Sequence, residues 1–556
     1  MSKKWFQSYP QGAAHEINPE EYKSIVDLFE KSIEKYRQNT AYRCMGATLT
    51  YDELDHLSAQ FASYLQNHCG LKKGDRIALQ MPNLIQYPIA LFGALRAGLI
   101  VVNTNPLYTA REMRFQFKDS GAKAIVILAN FAHMLDEVIK DTEIKHVVVT
   151  EIGDMMGFPK RLLVNAVVKY VKKMVPAFKL AGHVDFLEAL DLGAKKKLSP
   201  VELNVRDVAF LQYTGGTTGV SKGATLTHRN MLANMLQIRE WMKGQLTDGQ
   251  ETIVTALPLY HIFSLTVNAL AFMRNGATNL LITNPKDIPA FIKTLKTEHY
   301  TVITGVNTLF NALMNHKDFN QINFSKVKIS VAGGMALQKA VAERWMNLTK
   351  SKLVEGYGLT EASPVVCCNP IDGRDRVGTI GLPLPSTDVR LLDDDGIEVA
   401  EGQPGELCVK GPQVMKGYWN RPDETEKILN RDGWLKTGDI AVMDSDGYFK
   451  IVDRKKDMII VSGFNVYPNE IEDVIAGHPA VAEVAAIGIP DVRSGEAVKI
   501  FVVKKAEVTE QELIDFSKKD LTGYKVPKAV EFRAELPKTN VGKILRRALR
   551  DEKPAQ

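Results

Sequence analysis

The sequence predicts an α/β protein with mixed α+β character, and three observations predict it. Short β-branched runs alternate with amphipathic stretches through the first two thirds of the chain. A Gly- and Pro-rich block of short strands and turns follows, and strand–helix alternation then resumes to the end. At 556 residues the chain exceeds one ordinary core, and a typical domain size gives about three or four folding units. An apolar fraction of 45% and a charged fraction of 24% exclude wholesale disorder.

In chain order, Arg76–Gln80 (RIALQ), Ala124–Leu128 (AIVIL), His146–Thr150 (HVVVT) and Thr252–Ala256 (TIVTA) predict strands. Phe61–His68, Pro289–Glu298 and Lys339–Leu348 predict helices. The apolar run from Tyr87 to Val102 carries Arg96 and is too short to span a bilayer, so it reads as a buried helix running into a strand. No transmembrane helix is predicted, and MSKKWFQSYP lacks the apolar core of a secretory signal. Val377–Phe449 reads as a small β-rich unit with turns at 393–396, 431–433 and 445–447. Its Asp-Gly turns lack the D-x-D-x-D-G spacing and following Glu of a calcium loop. From Asp453, DRKKD reads either as a linker to a small α/β domain or as a charged turn within a continuous one.

A net charge of +5 over so large a surface does not point to nucleic acid. Five Cys without a CxxC pair predict a reducing, cytoplasmic setting and argue against structural zinc. One segment, 158–179, holds Lys160, Arg161, Lys169, Lys172, Lys173 and Lys179 and no acid. On a helix, Arg161, Asn165, Lys169, Lys172 and Lys173 form a polar stripe, with Leu162, Leu163, Tyr170, Val171 and Met174 mostly opposite. Such a helix either lies on an anionic membrane surface, peripherally on its inner face, or packs its apolar side on the protein's own core.

The strongest chemical signal is Tyr213, Thr214, Gly215, Gly216, Thr217, Thr218, Gly219, Val220, Ser221, Lys222, Gly223 and Ala224. The run follows a strand-like stretch, Val208–Gln212, and precedes a helix-like one, His228–Glu240. Glycines let backbone N–H groups converge on a polyanion, hydroxyls add donors, and Lys222 adds charge. The Walker pattern fails, because Ser221 precedes Lys222 and Gly223 follows it.

YTGGTTGVSKGA resembles the signature loop of the adenylate-forming (acyl-activating) superfamily. LPLYHIF (257–263), AGGM (332–335), EGYGLTEASP (355–364), GWLKTGD (433–439), DRKKDMIIVSGFNVYPNEIE (453–472) and PKTNVGKILRR (537–547) follow in that family's order. The run DGWLKTGDIAVMDSDGYFKIVDRKKD is similar to the signature of its fatty acyl-CoA ligases, those of bacteria acting on long-chain acids above all. The resemblance implies a large N-terminal domain of two α/β layered subdomains plus a small β-rich subdomain (1–453), a hinge (454–457), and a small mobile C-terminal α/β domain (458–556). It implies a two-step ligase that joins a fatty acid to ATP as an acyl-adenylate and then passes the acyl group to CoA. Medium-chain or aryl acids remain alternative substrates, and a non-catalytic fatty-acid carrier is the alternative outside catalysis.

The same resemblance implies roles. The Thr214–Lys222 loop holds the outer phosphates, and Glu361, with Thr214, holds Mg2+. Tyr357 packs on the adenine, with Gly333, Gly334, Gly356 and Gly358 beside it, and Thr360 approaches the α-phosphate. Asp439 accepts the ribose hydroxyls with Arg454 as second contact. Lys543 bridges carboxylate and α-phosphate, and His261 gates the acyl pocket. Rotation about Lys456 exchanges Lys543 for the Gly463 segment, which meets the pantetheine arm of CoA. The acyl pocket is expected along Tyr260–Val267 and Thr304–Leu313, both apolar. The expected partners are fatty acid, ATP, CoA and an anionic membrane surface, with no nucleic acid and with a dimer left open.

Overall fold

The computed structural model describes residues 3–214, 221–539 and 542–552. Two largely parallel sheets dominate residues up to about 385. One is eight-stranded, and its centre is Ile100–Asn103, Arg76–Gln80, Ala124–Leu128 and His146–Thr150, all parallel. The other is nine-stranded and runs through Thr278–Leu281, Thr252–Thr255, Val302–Gly305, Ile329–Gly333 and Leu353–Gly358 in parallel. These strands are unbroken apolar or β-branched runs because helices cover both faces. Ala124–Leu128, for example, is buried at every position.

The expected elements appear, most of them with small shifts at their ends. The predicted helix at 61–68 extends back to Tyr51, where Thr50 and Glu53 form a capping box. The run 87–102 is the helix Gln86–Arg96 followed by the strand Ile100–Asn103, and the helix is buried from Gln86 to Leu95. Asp388–Leu392, Gly405–Lys410, Leu435–Met443 and Phe449–Arg454 form a four-stranded antiparallel sheet, which is the β-rich unit. Its turns are Asx turns: Asp393 Oδ1 accepts from the N–H of Asp395 and Ile397, and Asp444 Oδ1 from those of Asp446 and Tyr448.

Beyond Arg454 a five-stranded sheet forms around the long hairpin Val481–Asp491 and Gly495–Lys504. Its apolar residues make clusters of their own, from Ile459 to Val530 on one face and from Ala485 to Leu549 on the other. The largest cluster of the preceding residues ends at Phe449. Among the described residues no helix is long and apolar enough to cross a membrane.

The basic segment is divided between its two expected placements. It forms a helix, Lys160–Ala166, continued by a wider π turn, Val167–Val171. Asn165, from the polar stripe, turns inward, where its Oδ1 accepts from Gly153 N at 2.7 Å and its Nδ2 donates to Asp154 at 3.1 Å. Leu163 (66% exposed), Tyr170 (69%) and Val171 (74%) face outward, as do Phe158, Leu162 and Met174. Most of the apolar side faces outward, while Val167 is half-buried and Val175 packs against the core. A short polar side chain satisfies the buried backbone there better than a leucine would.

Candidate active site

Between the C-terminal ends of the strands Ile329–Gly333 and Leu353–Gly358 and the last domain lies a cleft of about 1430 Å3. Gly358 sets its geometry. A Cβ there would lie 2.2 Å from the Pro364 carbonyl, so only glycine lets the chain fold back this tightly. The reversal carries Thr360 and Glu361 into the cleft on the short helix Thr360–Ala362. Glu361 Oε1 accepts from the Tyr418 hydroxyl at 2.6 Å. Burial, reinforced by Glu361, holds the Tyr418 hydroxyl well above its ordinary range, so it remains a donor at neutral pH.

Asp439 and Arg454 sit opposite one another in the antiparallel register of their strands. Arg454 Nε lies 3.3 Å from Asp439 Oδ1, and the Tyr357 hydroxyl donates to Oδ2 at 2.5 Å. Three residues expected at one nucleotide thus converge from three strands. Gly333, Gly334, Gly356 and Lys456 line the same cleft. Burial, with Arg454 next, lowers the Lys456 ammonium to about 8.

Tyr213, Thr214 and Lys222 line the cleft at the ends of the paired strands Val208–Thr214 and Lys222–Thr227. Ser221 Oγ donates to Thr214 O at 2.6 Å. Lys222 pairs with Glu424 and lies 5.1 Å from the centre of the Tyr418 ring. Gly215, Gly216, Thr217, Thr218, Gly219 and Val220 lie outside the described residues. Gly223 and Ala224 are strand residues paired with Tyr213 and Gln212, outside the cleft lining. Gly463 stands in an exposed turn between Ile459–Val461 and Phe464–Val466, also outside it.

Lys543 enters from the C-terminal domain. Its N–H donates to Thr539 Oγ1 at 3.0 Å, and its carbonyl accepts from Thr539 N at 2.7 Å. Gly542 holds φ +83°, and its carbonyl accepts from Thr308 of the large body at 3.1 Å. Burial lowers the Lys543 ammonium to about 7; the Arg454 cation adds to the shift and Asp439 opposes it. His261, at the start of the short helix Ile262–Ser264, is lowered to about 4 by burial and then by Lys543, so it is neutral at physiological pH. The lysine therefore stands between the polar groups around Asp439 and the wall that begins at His261.

That wall is apolar, and it includes one of the two expected stretches but not the apolar residues of the other. Tyr260, Ile262, Phe263 and Val267 line it, whereas from 304–313 only Asn307, Thr308 and Asn311 reach the cleft. Phe310 instead packs edge-on against Trp345, with ring centres 4.7 Å apart. Ile238, Trp241, Met242, Val331, Cys368 and Ile371 complete the wall. Sequence reasoning missed them because a wall residue and a core residue share one hydrophobic signature. It also missed Tyr418 and Glu424, which no motif marks.

Glu361 and the Thr214 hydroxyl supply a carboxylate and a neutral oxygen at the cleft. A hard cation such as Mg2+ is held by one or two carboxylates plus substrate phosphates and waters, so this oxygen donor set fits it.

These residues match a known family. The chain belongs to the AMP-binding enzymes: that family's model matches residues 29–419, and the AMP-binding enzyme C-terminal domain matches 470–543. It is 59% identical over 553 residues to a long-chain-fatty-acid–CoA ligase of Escherichia coli O157:H7, covering 99% of this chain and 98% of that one. Over 559 residues it is 54% identical to the enzyme of the same description from Haemophilus influenzae, covering 100% of this chain and 99% of that one. Its fold superposes on ATP-bound MatB from Rhodopseudomonas palustris with a TM-score of 0.78 at 27% identity, covering 95% and 98% of the two chains. The anthranilate CoA ligase AuaEII with anthranoyl-AMP gives 0.85 at 24% identity over 96% and 98%, a likeness of fold.

Proposed function

We propose that this protein is an ATP-dependent long-chain fatty acid–CoA ligase. One observation carries the reading: a single cleft joins a polar half at Asp439, Arg454 and Glu361 to an apolar half behind His261, with Lys543 between them. A fatty carboxylate with its tail along the apolar wall would present its oxygen beside Lys543. Attack on the α-phosphorus of ATP forms the carboxylate–phosphate bond and breaks the bond to pyrophosphate. Two anions meet in this step, so a compact cation at their junction stabilises the charge that develops. Asp439 with Arg454 would hold the ribose, Tyr357 the adenine, and Lys222 the outer phosphates. Thr360 would stand at the α-phosphate. Mg2+ held by Glu361 and Thr214 would neutralise phosphate charge.

In the second step the CoA thiol attacks the acyl carbon, AMP departs, and the thiol proton is lost. Division at 1–453, 454–457 and 458–556 suits this sequence of events, because the apolar clusters of the last part are its own. Turning about Lys456 would withdraw Lys543 and bring the exposed Gly463 turn to the cleft. The decisive experiment follows pyrophosphate release and thioester formation with acids from acetate to oleate. Release and thioester with oleate support the reading, release only with cinnamate-like acids transfers it to an aryl-CoA ligase, and no release with any acid overturns it.

A bilayer-dissolved substrate suits the outward apolar and basic face of 158–174, which we read as a peripheral contact with anionic membrane. Flotation with anionic vesicles tests it, and unchanged binding after neutralising Lys169, Lys172 and Lys173 would remove it.

A further inference from the structure

A second cavity, of about 300 Å3, lies beyond the apolar end of the cleft. The two share the side chains Trp241 and Ile371 as walls. On the inner side the wall is apolar: Ile238, Met242, Ile329 and Val331 accompany them. On the outer side Gln11, Lys243, Gln245, Asp372 and Arg374 surround the space, and Gln11 and Lys243 are exposed. Two side chains therefore separate an apolar channel from a polar pocket at the surface.

We propose that Trp241 and Ile371 form the bulkhead that sets the upper chain length of the acyl substrate. The inference rests on the fatty acid reading above. The cleft descends the strand Ile329–Gly333 from Gly333 past Val331 to Ile329. Trp241 ends the helix His228–Trp241 and is 3% exposed. Its Nε1–H donates to Asn369 O at 3.1 Å, and the Tyr9 ring meets it edge-on at 5.0 Å and 88°. The indole is thus fixed at both ends by residues far from the helix. Ile371 is only half-buried and has no polar anchor in its side chain, so it is the weaker half of the partition.

The polar pocket gives the partition its physical purpose. A methyl terminus that stops at Trp241 is surrounded by carbon, whereas one that passed it would meet water and the Lys243, Asp372 and Arg374 charges. The bulkhead makes additional methylenes useless to binding.

The test compares native protein with Ile371→Ala and Trp241→Phe, using the ratio of kcat/KM for pyrophosphate release with a 22-carbon acid to that with a 16-carbon acid. Full apolar burial of a methylene is worth about fourfold in kcat/KM; the outer cavity is polar and returns only part of that, so opening the bulkhead raises the ratio about tenfold over the whole added length. Adding Gln245→Trp to Ile371→Ala fills the outer cavity from its rim and returns the ratio toward the native value. A ratio unchanged within twofold in both single variants, while the native protein adenylates the 16-carbon acid, overturns the bulkhead and leaves the ligase reading intact. A raised ratio that Gln245→Trp does not reverse also overturns it, because the tail is then not entering the outer cavity. Failure of the native protein to adenylate any acid overturns both.

Discussion

Two basic stretches, 158–174 and 537–550, look alike as strings of lysine, arginine and aliphatic residues, and the fold treats them oppositely. In the second, Arg546 is almost enclosed and reaches Glu472, Asp453 and Asn469 at once, while Arg550 pairs with Asp457. Lys543 loses water to the cleft and its ammonium falls to about 7. In the first, Lys169, Lys172 and Lys173 have no ion pair among the described residues, Lys169 acting on Glu151 only at longer range, and the neighbouring Leu162, Leu163, Tyr170 and Val171 face outward. A cationic sequence becomes structural where acids from other segments surround it, and it remains available to an outside surface where none do.

The largest effect that would break this contrast is at Arg546. Arg546→Met leaves Asp453, fully buried, and Glu472 without their cation, which costs about 3–5 kcal/mol. Thermal unfolding should report it as a lowered transition of the C-terminal domain, and an unchanged transition would mean the network is not structural. Next is Lys543→Ala, which removes the junction cation and should lower adenylation about a hundred- to a thousandfold. Preformed acyl-adenylate should still yield thioester with CoA; equal loss of both steps would contradict the proposed domain rotation.

The pH dependence sharpens the contrast further. A lysine whose ammonium titrates near 7 is charged below that pH and loses its proton above it. For the free enzyme, kcat/KM for adenylation should fall about tenfold per pH unit on the alkaline limb. Lys543→Arg should move that limb out of range, and a profile flat from pH 6 to 9 in native protein would sink the assignment. The smallest effect belongs to the exposed stretch: Lys172→Gln should weaken binding to anionic vesicles about fivefold, less at high salt. A phosphatidylcholine control should show no difference between the two proteins.

The cleft was legible where a motif concentrates unusual chemistry. Lys543, Asp439, Glu361 and Tyr357 could be marked because their runs stand in the order of a known family; alone, Glu361 or Asp439 would read as an ordinary surface acid and Lys543 as one lysine of a basic tail. The apolar wall was legible only at Tyr260–Val267. Thr304–Leu313 is the more apolar stretch in the sequence and QIREWMK around Trp241 carries three charges, yet Phe310 turns to Trp345 while Trp241 turns to the cleft. Only the position of a neighbouring sheet distinguishes the two.

By itself the sequence determined the alternation of strands and helices, the β-rich insertion, and the order of the chemical runs, since these depend on periodicity and turn chemistry within a few residues. Tertiary structure decided which charges are cations in a site, which apolar residues line a channel, and which way an amphipathic helix faces. Those properties come from partners far along the chain: Tyr357 meets Asp439 across 82 positions, and Lys222 meets Glu424 across 202. Burial and charge pairing are sums over whatever the fold brings near, and no local window contains them.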